Sequence, residues 1–124
     1  MERTFITPEW EEIWCKALRS GDYEQGTGHL AGLGDENLPI EYCCLGVLQE
    51  LVHPDCFVDN LEAAEMEWPQ ETVYDEVEIR PGVELGGESS GFFSRLADMN
   101  DKAVPFEVIA TKIEQWNQGA DIHA

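Results

Sequence analysis

Apolar residues recur along the chain in short helical rows separated by polar, glycine-rich stretches. Trp10, Ile13, Trp14 and Leu18 form the first row. Thr7, Pro8 and Glu9 precede it: a capping hydroxyl, a residue suited to the first helical turn, and a carboxylate for the positive end of the helix dipole. Lys16 and Arg19 stand at the other end and Gly21 follows, so the pattern predicts a helix from residue 8 to about 19. Residues 21–40 hold five glycines and little periodicity, and read as turns around a short strand near His29 to Ala31. The most apolar window is Tyr42 to Val52, in which Leu45, Leu48 and Val52 share a face with Cys44 and Leu51 beside them. It predicts a buried helix closed before Pro54.

Residues 55–79 support two readings. Asp59 to Glu65 holds helix formers, whereas Glu71 to Arg80 alternates loosely enough for a strand and equally suits a short helix behind Pro69 through Val73 and Val77. Gly82 to Gly91 reads as a loop. Ser89 or Ser90 then caps a helix from about 91 to 99 that buries Phe92, Phe93, Leu96 and Met99. Pro105 opens a final helix with Phe106, Ile109, Ile113 and Trp116 on one face and Asn117-Gln118-Gly119 as its stop. These elements predict an α+β, mostly helical single domain over residues 1–124, with three to four helices and a small irregular sheet. The expected core is Trp10, Trp14, Leu45, Leu48, Phe93, Leu96, Ile109 and Ile113.

Charge changes this picture most. The chain of 124 residues carries 26 Asp and Glu against seven Lys and Arg, a formal charge of −19. Between Arg19 and Arg80 there is no Lys or Arg, yet fifteen carboxylates lie there, and no ion pair within the stretch can offset them. Such self-repulsion costs stability. Asp55, Asp59, Glu62 and Glu65 recur at spacings of 4, 3 and 3, which on one helix would make a stripe of charges roughly 5 Å apart along the axis. A nucleic-acid backbone also presents closely spaced, regular negative charge. The candidate partner-binding residues are therefore Asp55, Asp59, Glu62, Glu65, Glu67, Glu71, Asp75, Glu76 and Glu78, acting together on a basic groove. The competing reading is a surface charged only for solubility.

Other chemistry finds less support. No Gly-rich phosphate loop, nucleophile elbow or His-Glu-x-x-His motif appears, so no catalytic residue is singled out and no enzyme is expected. With so few cations, direct nucleic-acid binding is disfavoured. There is no apolar run near 18 residues and no leader-like start, so the expected location is the cytosol and no membrane contact is expected. Cys15, Cys43, Cys44 and Cys56 then read as free thiols. Cys43, Cys44, His53 and Cys56 contain a His-x-x-Cys pair, but adjacent cysteines on a helix point about 100° apart, and they are read as buried thiols and a surface His rather than a metal site. Asp98-x-Asn100-Asp101 fails as a calcium loop, because Ala103 stands at the sixth position and Ile109 at the twelfth; it reads as helix-ending and capping. No cofactor is expected.

Residues 14–30, the Tyr42-Cys43-Cys44-Leu45-Gly46-Val47-Leu48 core, Leu96 to Asp101, Phe106 to Ala110 and Ile113-Glu114 together resemble a widespread family of small phage and prophage proteins. The Cys-Cys-Leu-Gly-Val-Leu run is the most specific element. Members often carry a third Cys after that core, where this chain has Gln49. The resemblance implies a phage origin and no mechanism; the acidic segment 55–80 lies largely outside its recurring positions. On that footing the expected function is inhibition of a host defence complex, of CRISPR or restriction type, by nucleic-acid mimicry in the bacterial cytoplasm. The alternative is a sponge for a nucleotide second messenger, with Arg80, Arg95, Lys102 and Lys112 as phosphate donors.

Overall fold

A computed structural model describes residues 5–36, 39–66, 68–69, 71–77 and 92–120 of the chain. The expected loop at Gly82–Gly91 and the Ser89 or Ser90 cap lie outside them. Among the described residues there are seven helices and a two-stranded sheet, an α+β and mostly helical fold. Four helices are long: α1 (Pro8–Arg19), α2 (Cys44–Val52), α6 (Phe92–Asp101) and α7 (Phe106–Asn117). Three are short: α3 (Cys56–Asp59), α4 (Leu61–Glu65) and α5 (Glu71–Val77). No helix of the described residues is long and apolar enough to cross a membrane.

The long helices form the hub, with α1 on α7, α2 on α6 and α6 on α7. Thr7 caps α1 by accepting a hydrogen bond from the Trp10 N–H at 3.3 Å, and Gly21 adopts φ +81 just past its end. The buried face of α1 is Glu11, Trp14, Cys15 and Leu18, one residue round from the expected row. Ile13 is 45% exposed and Trp10 only half-buried. The remaining expected core residues, Trp14, Leu45, Leu48, Phe93, Leu96, Ile109 and Ile113, are all buried. Trp14 meets Phe93 edge-on at 5.9 Å and donates its indole N–H to the Cys44 carbonyl at 2.9 Å. The ring thereby contributes apolar area while its one polar atom stays bonded.

The sheet pairs β1 (Ala31–Leu33) with β2 (Pro39–Tyr42) antiparallel, Ala31 opposite Tyr42, with an irregularity between Gly32 and Leu33. The strand expected at His29 to Ala31 thus lies two residues later. Tyr42, read as helical, ends β2 instead, and α2 begins at Cys44. The Cys43 Sγ accepts from the Gly46 N–H at 3.3 Å, so the thiol caps the helix. At Gly46 the helix meets β1's approach: a Cβ there would sit 1.8 Å from the Leu30 carbonyl oxygen. The Cys-Cys-Leu-Gly run therefore encodes a cap and a close crossing.

Two buried amides, which sequence periodicity did not single out, lock the hub. Asn117 accepts from the N–H groups of Phe5 and Ile6 at 2.7 and 2.9 Å and donates to the Ile6 carbonyl and the Glu11 carboxylate, each at 3.0 Å. Asn100 accepts from the Cys44 N–H at 3.1 Å and donates to the Gly26 carbonyl at 2.7 Å. Gln25 donates to both Asn100 and the Val104 carbonyl. Asn100 is therefore a bridge between α6, α2 and the glycine-rich turn, within a run that ends α6 at Asp101 as expected. Its neighbours Asp98 and Asp101 bind Lys102 and the Gly28 N–H.

Candidate acidic interface

The stretch from Asp55 to Val77 leaves the hub as three short helices in succession. Phe57, Ala63, Ala64, Val73 and Val77 point inward and are buried. The Met66 carbonyl accepts from the Leu30 N–H at 2.8 Å, and the Val77 carbonyl accepts from the Thr7 N–H at 3.2 Å, so the far ends of α4 and α5 are tied to β1 and α1. His53, at the end of α2, meets the Thr72 hydroxyl of α5 at 2.8 Å. Val73 and Val77 lie four residues apart on a helix, which resolves the strand-or-helix choice over 71–77 in favour of helix.

The continuous stripe expected of Asp55, Asp59, Glu62 and Glu65 is not formed. Asp55 sits in the left-handed region at φ 63, Asp59 ends α3, and Asn60 is extended at φ −137 and ψ 92, which breaks the row before α4 begins. All four side chains are nevertheless exposed, as are Asp75 and Glu76 on α5. Glu71 opens α5; Glu67 and Glu78 lie outside the described residues. What the fold provides is a broken, ordered display of carboxylates with apolar feet in the core. Among the described residues, Arg19 pairs with Glu114 at 2.7 Å and Lys102 with Asp98 at 3.0 Å, and these two pairs draw on none of the carboxylates of α3 to α5.

At the root of this display is Glu50, a residue the spacing argument passed over. Its Oε2 accepts from the Asp55 N–H at 2.6 Å, which holds the left-handed turn into α3, and it also bonds the Tyr42 phenol. Burial pushes the Glu50 carboxyl up; the Asp55 N–H opposes that and the Asp55 charge adds to it. Tyr42, packed edge-on against Tyr23 at 5.2 Å, is pushed up to about 12, by burial first and then by the Glu50 charge. Tyr23 rises for the same two reasons, with Asp22 adding to them.

The cysteines do not converge. Cys43 caps α2, Cys44 is fully buried with its thiol toward the Leu96 carbonyl, and Cys56 lies beside Gln49. Burial raises the Cys43 thiol to about 11 and Cys44 well above its ordinary 9, so both stay protonated at neutral pH. Among the described residues no group of three or more His, Cys, Asp or Glu is placed to hold a metal ion. A small cavity of about 110 Å³ lies between Gly28, His29, Cys43, Trp68, Ala97 and Asp101.

Cations that a nucleotide would need are dispersed or already engaged. Arg19 grips Glu114 through both terminal nitrogens, at 2.7 and 2.8 Å, and Lys102 binds Asp98. Arg95 and Lys112 stand on α6 and α7, and Arg80 lies outside the described residues. The groove along α1 that holds Lys16 and Arg19 also holds Glu11, Glu12 and Glu114.

A family model described as a domain of unknown function, DUF8296, matches residues 6–83. That span contains α1 to α5, and so takes in the acidic segment together with the part of the hub on which it rests. No curated protein and no solved structure gives a significant match.

Proposed function

From a chain that belongs to the DUF8296 family, we propose a phage-encoded inhibitor that lays its anionic middle into the basic nucleic-acid-binding groove of a host defence complex. The observation that carries the reading is the exposure of Asp55, Asp59, Glu62, Glu65, Asp75 and Glu76 on helices anchored to the core, within a stretch that has no Lys or Arg. Ordered carboxylates are pre-paid in conformational entropy, and a basic groove supplies the charge this stretch lacks. Release of counterions from both surfaces makes such binding steeply dependent on salt. The phage assignment rests on the Tyr-Cys-Cys-Leu-Gly-Val-Leu resemblance, and the CRISPR or restriction type of the target follows from the class of complex that carries such a groove.

Because the display is broken into three helices, it fits a groove through total charge and shape rather than through one straight row. Single neutralisations therefore change binding little. The quadruple reversal Asp59→Lys, Glu62→Lys, Asp75→Lys and Glu76→Lys abolishes capture of a nucleic-acid-binding complex from host lysate at low salt, and high salt does the same to the wild type. Capture that is indifferent to both changes defeats the proposal. The sponge alternative makes the opposite forecast: calorimetry detects a cyclic nucleotide, and a single change at Arg95 or Lys112 removes it.

A further inference from the structure

The acidic helices also expose apolar side chains. Val58 is 40% exposed, Leu61 42% and Met66 54%, although Phe57, Ala63 and Ala64 on the same two short helices are buried. The core thus takes Phe57, Ala63 and Ala64 and leaves Val58 of α3, Leu61 of α4 and Met66 just past the end of α4 in solvent, interleaved in sequence with Asp55, Asp59, Glu62 and Glu65. Among the described residues Ile13, Ile40 and Val108 are exposed singly, whereas Val58, Leu61 and Met66 fall close together in one short acidic stretch, and it is such a local concentration of exposed apolar groups that marks a contact site.

The charge around them selects the partner. A second copy of this chain presenting the same face would bring carboxylates against carboxylates, since residues 20–79 contain no Lys or Arg. A nucleic acid or an anionic bilayer would be repelled for the same reason. We propose that Val58, Leu61 and Met66 form the centre of a docking face for a cationic protein surface with an apolar core, with Asp55, Asp59, Glu62 and Glu65 as its polar rim. This rests on the reading above that the anionic middle is the contact face, and adds that the partner is gripped by apolar burial as well as charge. Interfaces of that design have a desolvated centre and a charged rim; the rim governs encounter and salt dependence, the centre governs dissociation.

The test uses the full-length, isotope-labelled protein and two synthetic helical peptides of 18 residues and equal positive charge. One carries lysines on one face and leucines on the other; the second has serine at each leucine position. At 0.3 M salt the leucine peptide binds about tenfold more tightly than the serine peptide, because burying even one such side chain is worth that much. Its largest amide shifts fall on residues 56–66. In Leu61→Ser/Met66→Ser the two peptides bind alike. Equal binding of both peptides to the wild-type face overturns the apolar centre but leaves the electrostatic reading intact. Shifts confined to other parts of the molecule, or no binding by either peptide at low salt, overturn both.

Discussion

The hub and the acidic helices solve the problem of polar groups in opposite ways. In the hub, two amide side chains go inside with their polar atoms engaged: Asn100 and Asn117 are both 0% exposed and together join residues 56 to 112 positions apart, whereas the buried Ser94 hydroxyl of α6 has no partner. In α3 to α5, polar side chains go outside and apolar ones serve as anchors. Neither α3 nor α4 has a side-chain hydrogen bond at its N-cap. The difference teaches where specificity resides. A buried amide with several partners admits one arrangement, because any other leaves orphaned donors and acceptors at a cost of about 1–3 kcal/mol each. An exposed carboxylate on a short helix admits many substitutions. The fold can therefore hold its display constant while the displayed residues change.

The comparison breaks most sharply at Asn100. Asn100→Ala strips the Cys44 N–H and the Gly26 carbonyl of their partner at once and costs about 3 kcal/mol in urea unfolding. A cost below about 1 kcal/mol would show that water or a shifted Gln25 replaces the amide and that the hub is less exclusive than its geometry indicates. The acidic side is expected to move far less. Asp59→Asn, Glu62→Gln and Asp75→Asn combined change stability by no more than about 1 kcal/mol, toward greater stability, because they relieve repulsion and touch no buried group. A large loss from those three would mean that the carboxylates hold the helices together.

Much of the hub was legible in the chain because its helices carry strong local signals. The Thr7-Pro8-Glu9 start and its row satisfy cap, period and stop at once, the Leu45/Leu48 row has its period and a stop before Pro54, the Ile109/Ile113/Trp116 row has its period and an opening Pro105, and α1, α2 and α7 lie within two residues of their expected bounds. The charge row over 55–65 was misleading for a physical reason. Spacing alone makes a stripe, but Asp55 in the left-handed region and the extended Asn60 interrupt the helical backbone, and exposed charges exert no pull strong enough to restore it. The amides escaped because their partners are distant in sequence. A signal did exist: Asn100 continues Leu96, Asn117 continues Ile113 and Gln49 continues Leu45 at a spacing of four, each a polar residue on an apolar row. The cysteine cap and the Gly46 crossing are similar, since a thiol is an unusual cap and the Leu30 carbonyl that demands a glycine lies sixteen positions away. The exposed Val58, Leu61 and Met66 could not be read at all, because composition does not say which apolar residues a short helix leaves out.

The smallest effect falls where the two regions meet. Glu50 is part of α2 and therefore of the hub, yet it holds the turn that begins the acidic helices by accepting from the Asp55 N–H. Its pKa in the fold is raised from the usual 4.5, chiefly by burial, so the fold favours the protonated form. A raised folded pKa means that the associated stability is fully present below the unfolded value and is lost as pH rises through the folded value. At neutral pH the ionised Glu50 is thus a mild liability, beside the like charge of Asp55. Glu50→Gln retains an acceptor for the Asp55 N–H and removes the charge. Its melting temperature matches the wild type near pH 4 and exceeds it by about a degree or two at pH 7, the gap opening as pH rises above 4.5. The reverse outcome, a variant less stable than the wild type at pH 7 and equal to it in acid, would mean that the charged hydrogen bond to Asp55 outweighs the cost of burying the carboxylate. The acidic helices would then depend on an ionised hub residue, and the division between a rigid interior and a permissive exterior would fail at the junction that joins them.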